Sequence, residues 1–387
     1  MSKLDECILG DLVEFQRGYD LPKSKFVEGK YPVQSSNGIL GYHNEYKVEG
    51  PGITIGRSGT VGTPHLIREN FFPHNTSLFV KEFKGNDIEY IYYLLQYLDL
   101  GNQKSGSGVP TMNRNHLHPI KIRAYRDKTY QQRTIKILSL IDKKIQINNQ
   151  INQELEAMAK TLYDYWFVQF DFPDQNGNPY KSSGGKMVYH PELKREIPER
   201  WGVEKLGDIS QYVSEKVGSS ELNKENYVGT DNMIADMGGI ELTTSIPKSG
   251  TSTKFSVGDI LISNIRPYFK KIWLSDRTGG CSADVLCIRT NRIIYKEFVY
   301  ATLARDDFFN YDVAGSKGSK MPRGDKKHIM EYPIVFEFEI ADQFSKIVRP
   351  IYEAVHKNYN QNQELTQLRD WLLPMLMNGQ ARVEDKT

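Results

Sequence analysis

The stretch TIKILSLIDKKIQINNQINQELEAMAKTLYDYWF, residues 134–167, carries Ile137, Ile141, Lys144, Asn148, Ile151, Leu155, Met158, Leu162 and Tyr165 at alternating steps of four and three residues. That spacing is a heptad seam on one face of a long α-helix. Moving 210 residues down the chain gives Ile347, Ile351, Ala354, Asn358, Gln361, Leu365, Leu368, Leu372 and Met375, a second seam with Asn again at its centre. Even Asn152-Gln153-Glu154-Leu155 recurs as Asn362-Gln363-Glu364-Leu365. One chain thus holds two long helices of one design, and the fold depends on what precedes each.

Outward from the helices the repeat continues. Leu9-Gly10-Asp11-Leu12 returns as Leu206-Gly207-Asp208-Ile209, and Gly106-Ser107-Gly108-Val109-Pro110 with His116-Leu117 returns as Gly318-Ser319-Lys320-Met321-Pro322 with His328-Ile329. The chain is two copies of one plan, a globular region followed by a long helix. Each globular region reads as β-rich, with runs such as Gly52-Ile53-Thr54-Ile55 and Asp259-Ile260-Leu261-Ile262 set between Gly, Asn and Ser clusters. A helical period at 87–100 and again at 296–310 places one helix against the strands of each copy. From Phe170-Asp171-Phe172-Pro173 to Pro198-Glu199-Arg200-Trp201 the chain is rich in Gly, Pro, Ser and charge and reads as a linker.

The expected fold is α+β, with two β-rich mixed globular domains separated by two long helices that pair as an antiparallel coiled coil, a pseudo-twofold molecule. The expected boundaries are 1–127 for the first domain, 128–168 for the first helix, 169–200 for the linker, 201–338 for the second domain and 339–381 for the second helix. In the paired arrangement Asn148 and Asn358 hydrogen-bond and fix the register at some cost in stability. The alternative is that each helix packs on its own globular domain. A helix over 134–167 spans roughly 50 Å at 1.5 Å per residue, enough to act as a ruler between two domains.

Composition narrows the function classes. At 387 residues the chain exceeds one compact core, and 39% hydrophobic with 11% aromatic residues suffices to pack two. Lys and Arg number 50 against 48 for Asp and Glu, so a nucleic-acid surface must come from local placement of charge. Cys7, Cys281 and Cys287 show no CxxC spacing, which argues against a disulfide framework and a cysteine zinc site. The start MSKLDECILGDLVEF has no apolar core, and no run approaches the roughly 18 apolar residues of a membrane span, so a cytoplasmic protein with no membrane partner is expected.

Catalytic signatures are missing: there is no Walker A sequence, HExxH, GxSxG or GxGxxG after a strand. Gly56-Arg57-Ser58-Gly59-Thr60-Val61-Gly62 lacks the Lys and following helix of a phosphate cradle and reads as a loop. Asn178-Pro179-Tyr180 reads as a turn, and Asp174 with Glu192 and Lys194 falls in linker-like sequence unsuited to a nuclease metal site. His116 and His118 have no Cys or carboxylates around them, so no metal and no catalytic residue is expected. What remains are basic and amide side chains at matching loop positions: Arg57, Ser58, Lys104, Arg114 and Asn115 in the first region, and Asn264, Arg266, Lys270, Lys320 and Arg323 in the second. Arg reads guanine, Asn reads adenine, and Lys and Ser position phosphates, so the repeated cluster suits sequence-specific duplex DNA. Solvated basic loops are the alternative.

Several strings, in order, resemble the specificity (S) subunit of type I restriction-modification systems over nearly the full chain. They are Leu9-Gly10-Asp11; Asp171-Phe172-Pro173 through Gly177-Asn178-Pro179-Tyr180-Lys181-Ser182-Ser183-Gly184-Gly185; Glu196-Ile197-Pro198-Glu199-Arg200-Trp201; and Leu368-Arg369-Asp370-Trp371-Leu372-Leu373-Pro374-Met375-Leu376-Met377-Asn378-Gly379. The resemblance implies that each globular region is a target recognition domain reading one half of a bipartite double-stranded DNA sequence, with the helices setting the unread gap. It also implies docking of two methyltransferase (M) subunits, which use S-adenosylmethionine to methylate adenine, and of restriction (R) subunits that cleave with ATP and Mg. The chain itself is then non-catalytic and holds no cofactor. Its departure is a seam unusually rich in Asn and Gln from Gln146 to Gln153. The rival readings are a stand-alone fused restriction enzyme and a two-domain scaffold that binds no DNA.

Overall fold

In a computed structural model of the chain, residues 4–102, 111–318 and 320–381 are described. They divide into two compact units, the first formed by Met1–Ile147 with Glu364–Thr387, the second by Asn148–Gln363. Both long helices cross this division. The first runs over Lys128–Tyr163 and continues as a π-helical turn over Asp164–Val168, and the second runs over Phe338–Met377.

In the first unit a four-stranded antiparallel sheet is ordered Glu14–Arg17, Ser77–Glu82, Gly52–Gly56, Pro64–Ile67. Gly52–Gly56 is buried along its whole length, as a central strand covered on both faces must be. The helix Ile88–Tyr97 starts where the Asp87 carboxylate accepts the Tyr90 N–H, and it buries Tyr90, Ile91, Leu94 and Leu95 in the core. Asp5–Ile8 pairs with Lys121–Ala124 and closes the domain. The chain end then completes the core: Leu376 and Met377 are fully buried with Ile135 and Leu138, and Arg369 bonds Asp142 at 3.0 Å.

The second unit repeats the plan. Its sheet is ordered Ser210–Tyr212, Val285–Thr290, Ile260–Ser263, Ile272–Leu274, and Gly202–Lys205 pairs with Pro333–Phe336 as the closing pair. The helix Lys296–Leu303 covers the sheet as Ile88–Tyr97 does in the first unit. Both units are β-rich with a helical side.

The segment 169–200 differs from the linker its composition suggests. Phe170, Phe172, Ile197 and Trp201 are buried in the core of the second unit, Phe172 stacks on Tyr180 and on Trp201, and Met187–His190 pairs with Arg195–Pro198 as a hairpin. Polar residues hide an aromatic anchor every few positions, and that burial decides the packing.

The helical seam has the expected period but a different phase. In the first helix the buried positions include Leu138, Ile141, Asn148, Asn152, Ala159, Tyr163 and Trp166, while Ile137, Ile151, Met158 and Tyr165 are exposed. In the second they include Val348, Tyr352, Val355, Asn362 and Leu376, one residue on from the apolar repeat. The cause is the large aromatics: Tyr163, Trp166, Phe344 and Tyr352 gain more by burial than Ile or Met and turn both helices toward them. The two helices run antiparallel inside each unit. In place of an Asn148–Asn358 hydrogen bond, the Asn148 amide donates to Gln361 Oε1 (2.9 Å) and Asn362 Oδ1 (2.8 Å), and the Asn358 amide donates to Asn152 Oδ1 (2.8 Å).

Asn152 is buried and also donates to the Val355 carbonyl at 3.3 Å. Asn152→Leu alone leaves the Asn358 amide without its acceptor and removes the second contact to the Val355 carbonyl, and is expected to cost about 1–3 kcal/mol in urea unfolding. Asn152→Leu with Asn358→Leu is expected to recover most of that loss, because paired removal leaves fewer orphans. Equal losses in the single and double variants would contradict the pairing.

Candidate nucleic-acid interface

In the first unit the central strand Gly52–Gly56 ends in a turn that closes when Gly62 N–H donates to the Gly56 carbonyl at 2.9 Å. A Cβ at Gly56 would lie 1.7 Å from the Thr60 carbonyl oxygen, so only glycine fits there. The turn presents Arg57 and Ser58, whose N–H groups both donate to the Thr76 carbonyl (2.8 and 3.1 Å). Met112 N–H then donates to the Arg57 carbonyl at 2.8 Å, Ser58 bridges to Thr111, and Asn113 caps the short helix Arg114–Leu117 by accepting Asn115 N–H. This brings together residues far apart in sequence. Arg57, Arg114 and Asn115 line one open cleft of about 620 Å³ with Gln16, Arg17, Tyr19, Asp20 and Asn113. Ser58 stands at the bridge, not among the lining residues. Lys104 lies outside the described residues.

The second unit uses the same construction. After Ile260–Ser263, Gly324 N–H donates to the Asn264 carbonyl (3.2 Å), Ile265 bridges to Arg323, and Asp325 caps Lys326–Met330 by accepting Lys327 and His328 N–H. Asn264 thus occupies the place of Arg57, Arg323 that of Thr111, and Asp325 that of Asn113. Arg266 N–H donates to the Pro322 carbonyl at 2.8 Å, which ties the loop after the strand to the loop before the short helix.

Local electrostatics differ between the units. Lys270 pairs with Asp306 at 2.6 Å, which holds the Asp306 carboxyl below its ordinary range, and Arg323 pairs with Asp284 at 3.0 Å. Lys317 meets Asp325 at 2.5 Å, and with the cap N–H groups this holds Asp325 down at about 2. Lys320 is exposed. Arg266 and Lys270 have φ of 51° and 50°, an unfavourable left-handed conformation for side-chain-bearing residues, and they bracket the turn Pro267–Phe269. Strain of this kind collects where a loop must present particular groups. Asn264 Oδ1 and Arg266 Nε are buried without a hydrogen-bond partner among the described residues. In both units guanidinium and amide groups stand on short loops tied together by backbone hydrogen bonds.

His118 and Asp174 have structural roles. His118 Nε2 accepts the Phe15 N–H at 3.0 Å and its ring stacks on Phe15, with burial lowering its pKa. Asp174 accepts the Asn176 and Asn178 N–H groups, each at 2.8 Å, and so shapes a turn. The sequence reading missed Arg17, Tyr19 and Asp20, which reach the cleft only because Gly18-Tyr19 pairs with residues 73–77, a contact with no local signal.

A profile for the type I restriction modification DNA specificity domain matches residues 1–157. The MjaIX specificity subunit of a type I restriction enzyme from Methanocaldococcus jannaschii is 26% identical over 320 residues, which is 77% of this chain and 70% of that one. The HindI specificity subunit from Haemophilus influenzae is 24% identical over 314 residues, 66% of this chain and 68% of that one. The solved S subunit of a type I restriction-modification system from M. genitalium, 15% identical, has the same fold, with a TM-score of 0.58 over 100% of this chain and 97% of that chain. Residues 1–157 thus match the type I restriction modification DNA specificity domain, and the chain as a whole, with its doubled architecture, is similar to the specificity subunits of type I restriction-modification systems.

Proposed function

We propose that each unit reads one half of a bipartite double-stranded DNA target, through Arg57, Ser58, Arg114 and Asn115 in the first unit and Asn264, Arg266, Lys270, Lys320 and Arg323 in the second, with Lys104 assigned to the first on sequence alone. The observation that carries this reading is the shared construction. In both units one backbone bridge holds the loop after the central strand against the cap of a short helix, Met112 to Arg57 in one and Gly324 to Asn264 in the other. A duplicated reading head suits a target with two read halves, since successive faces of B-DNA recur about every 34–36 Å.

The long helices are assigned the unread gap, the first alone having 36 residues, or about 54 Å at 1.5 Å per residue. They are also assigned the docking of two methyltransferase subunits. In support, Ile137, Leu140, Ile147, Leu368 and Trp371 are exposed on the helices of the first unit and Ile151 and Met158 on those of the second, apolar surface that a partner would cover. Catalysis then belongs to the partners: adenine methylation with S-adenosylmethionine, and cleavage by restriction subunits with ATP and Mg. The complex works on cytoplasmic DNA. No helix among the described residues is long and apolar enough to cross a membrane.

The test is co-expression with a cognate methyltransferase subunit and mapping of adenine methylation across host DNA. One bipartite motif of fixed gap, lost when either unit is disabled, is the expected result. Assembly without any methylation pattern would favour a scaffold. Nuclease activity of the chain alone, abolished by Asp174→Asn, would favour a fused enzyme.

A further inference from the structure

An acidic side chain stands among the cations of the first unit's cleft. Asp20 follows Gly18-Tyr19, which is fixed from below: Gly18 N–H donates to the Ser77 carbonyl (3.0 Å), Tyr19 N–H donates to the Pro73 carbonyl (2.8 Å), and Tyr19 pairs with His74. A Cβ at Gly18 would lie 2.1 Å from the His74 carbonyl oxygen, so the close approach that places Asp20 requires glycine. Asp20 Oδ1 takes two donors, Arg17 Nη2 at 3.2 Å and the Asn75 side-chain amide. Oδ2 has no partner among the described residues, and the side chain is 71% exposed at the cleft. One carboxylate oxygen is clamped and the other is left to accept.

A carboxylate placed this way is unfavourable against phosphate, where like charges meet. Against a base edge its effect depends on the base. The exocyclic amino groups of cytosine and adenine donate in the major groove and suit it, whereas the keto oxygens of thymine and guanine present lone pairs to lone pairs. Such a group favours one class of base and rejects the other, which is how a single side chain yields discrimination. Arg57 and Arg114 in the same cleft offset the repulsion between Asp20 and the backbone as DNA approaches.

We propose that Asp20 is a specificity-determining residue of the first unit, its Oδ2 accepting a hydrogen bond from the exocyclic amino group of one base in that unit's half-site. Arg17 and Asn75 are its positioning residues. The inference rests on the reading of this cleft as a DNA surface.

The experiment compares methylation maps laid down by the methyltransferase complex carrying the wild-type chain, Asp20→Asn or Asn75→Ala. The wild-type motif is expected to hold adenine or cytosine at one position of one half, and which of the two appears there names the base read. Asp20→Asn, nearly the same shape but able to donate, is expected to lower discrimination against thymine and guanine at that position by about ten- to hundredfold. The other half of the motif stays unchanged and serves as the internal control for folding and assembly. Asn75→Ala is expected to loosen the same position to a smaller degree. An unchanged motif with Asp20→Asn overturns the inference, and so does a uniform loss at all sites with every position kept. A wild-type complex that lays down no bipartite pattern overturns the DNA reading, and this inference with it.

Discussion

Phe167→Ala is expected to destabilise the second unit by about 3–5 kcal/mol, the largest single-residue loss predicted for this chain. Phe167 is 3% exposed in the π-helical turn Asp164–Val168, and its ring meets four others outside its immediate sequence neighbour, with centroids at 5.0 Å from Tyr163, 5.5 Å from Trp201, 4.6 Å from Phe298 and 5.3 Å from Phe344. Those rings come from the end of the first long helix, the start of the second globular region, the helix Lys296–Leu303 and the second long helix. Removing the ring opens a cavity where four segments join, and rigid aromatic neighbours collapse poorly into it. The check is urea unfolding followed by the fluorescence of Trp166 and Trp201, both in that core. A two-unit chain need not unfold in one step, so the transition of the second unit is expected to move while that of the first stays in place. A shift of less than about 1 kcal/mol would mean that the aromatic cluster is not the anchor its geometry suggests.

That cluster also shows where the sequence was legible. The repeat was readable because the punctuation of the two copies survives: Leu9-Gly10-Asp11 and Leu206-Gly207-Asp208 stand at matching turns, just after Asp5–Ile8 and Gly202–Lys205, the strands that close each domain. The period of the long helices was readable too, since Ile and Leu recur at heptad steps. Their phase was not, because a search for apolar residues passes over Asn152 and Asn362, which are buried by pairing across the seam, and has no means of weighing Trp166 against Tyr165. The same limit turned 169–200 into a linker: Phe170, Phe172 and Trp201 are single aromatics among Gly, Pro and Ser, and their burial depends on Phe167 and Tyr180 reaching them.

The two loop clusters divide in the same way. Arg57 with Arg114, and Asn264 with Arg323, were identifiable as loop cations and amides, and backbone bridges to Met112 and Gly324 bring each pair of segments together. Sequence could not show that Lys270 and Arg323 are already held by Asp306 and Asp284. Those carboxylates offset the two cations of the second unit and fix their side-chain positions, whereas in the first unit Arg57 and Arg114 share their cleft with Asp20.

The other large effect concerns a carboxyl beneath the second unit's loops. Asp312 is completely buried, neither of its oxygens has a hydrogen-bond partner among the described residues, and burial raises its pKa from an ordinary 3.8 to about 6 despite the opposing influence of His328. Because the folded chain holds this proton more tightly than the unfolded chain, the associated stability is complete below about pH 4 and is lost as pH rises through about 6. At about 1.4 kcal/mol per decade of proton affinity the loss amounts to roughly 3 kcal/mol at neutral pH. Asp312→Asn removes the charge and adds an amide donor beside Asn264 Oδ1, itself without a partner; a Cβ on Gly324 would lie 2.4 Å from Asp312 Oδ1 and 2.9 Å from Asn264 Oδ1, so the two oxygens converge at that glycine. The variant is therefore expected to be more stable than wild type by up to about 3 kcal/mol at pH 7.5, with the gain shrinking below pH 6 and vanishing toward pH 4. Hydrogen exchange at 264–266 and 323–325 should slow in parallel, since the relieved charge lies under those two loops. A variant no more stable at pH 7.5, or a gain that persists unchanged on acidification, would show that Asp312 is not carrying an uncompensated charge; the expected outcome would mean that the loops over Asp312 are held together less firmly at neutral pH than their packing alone allows.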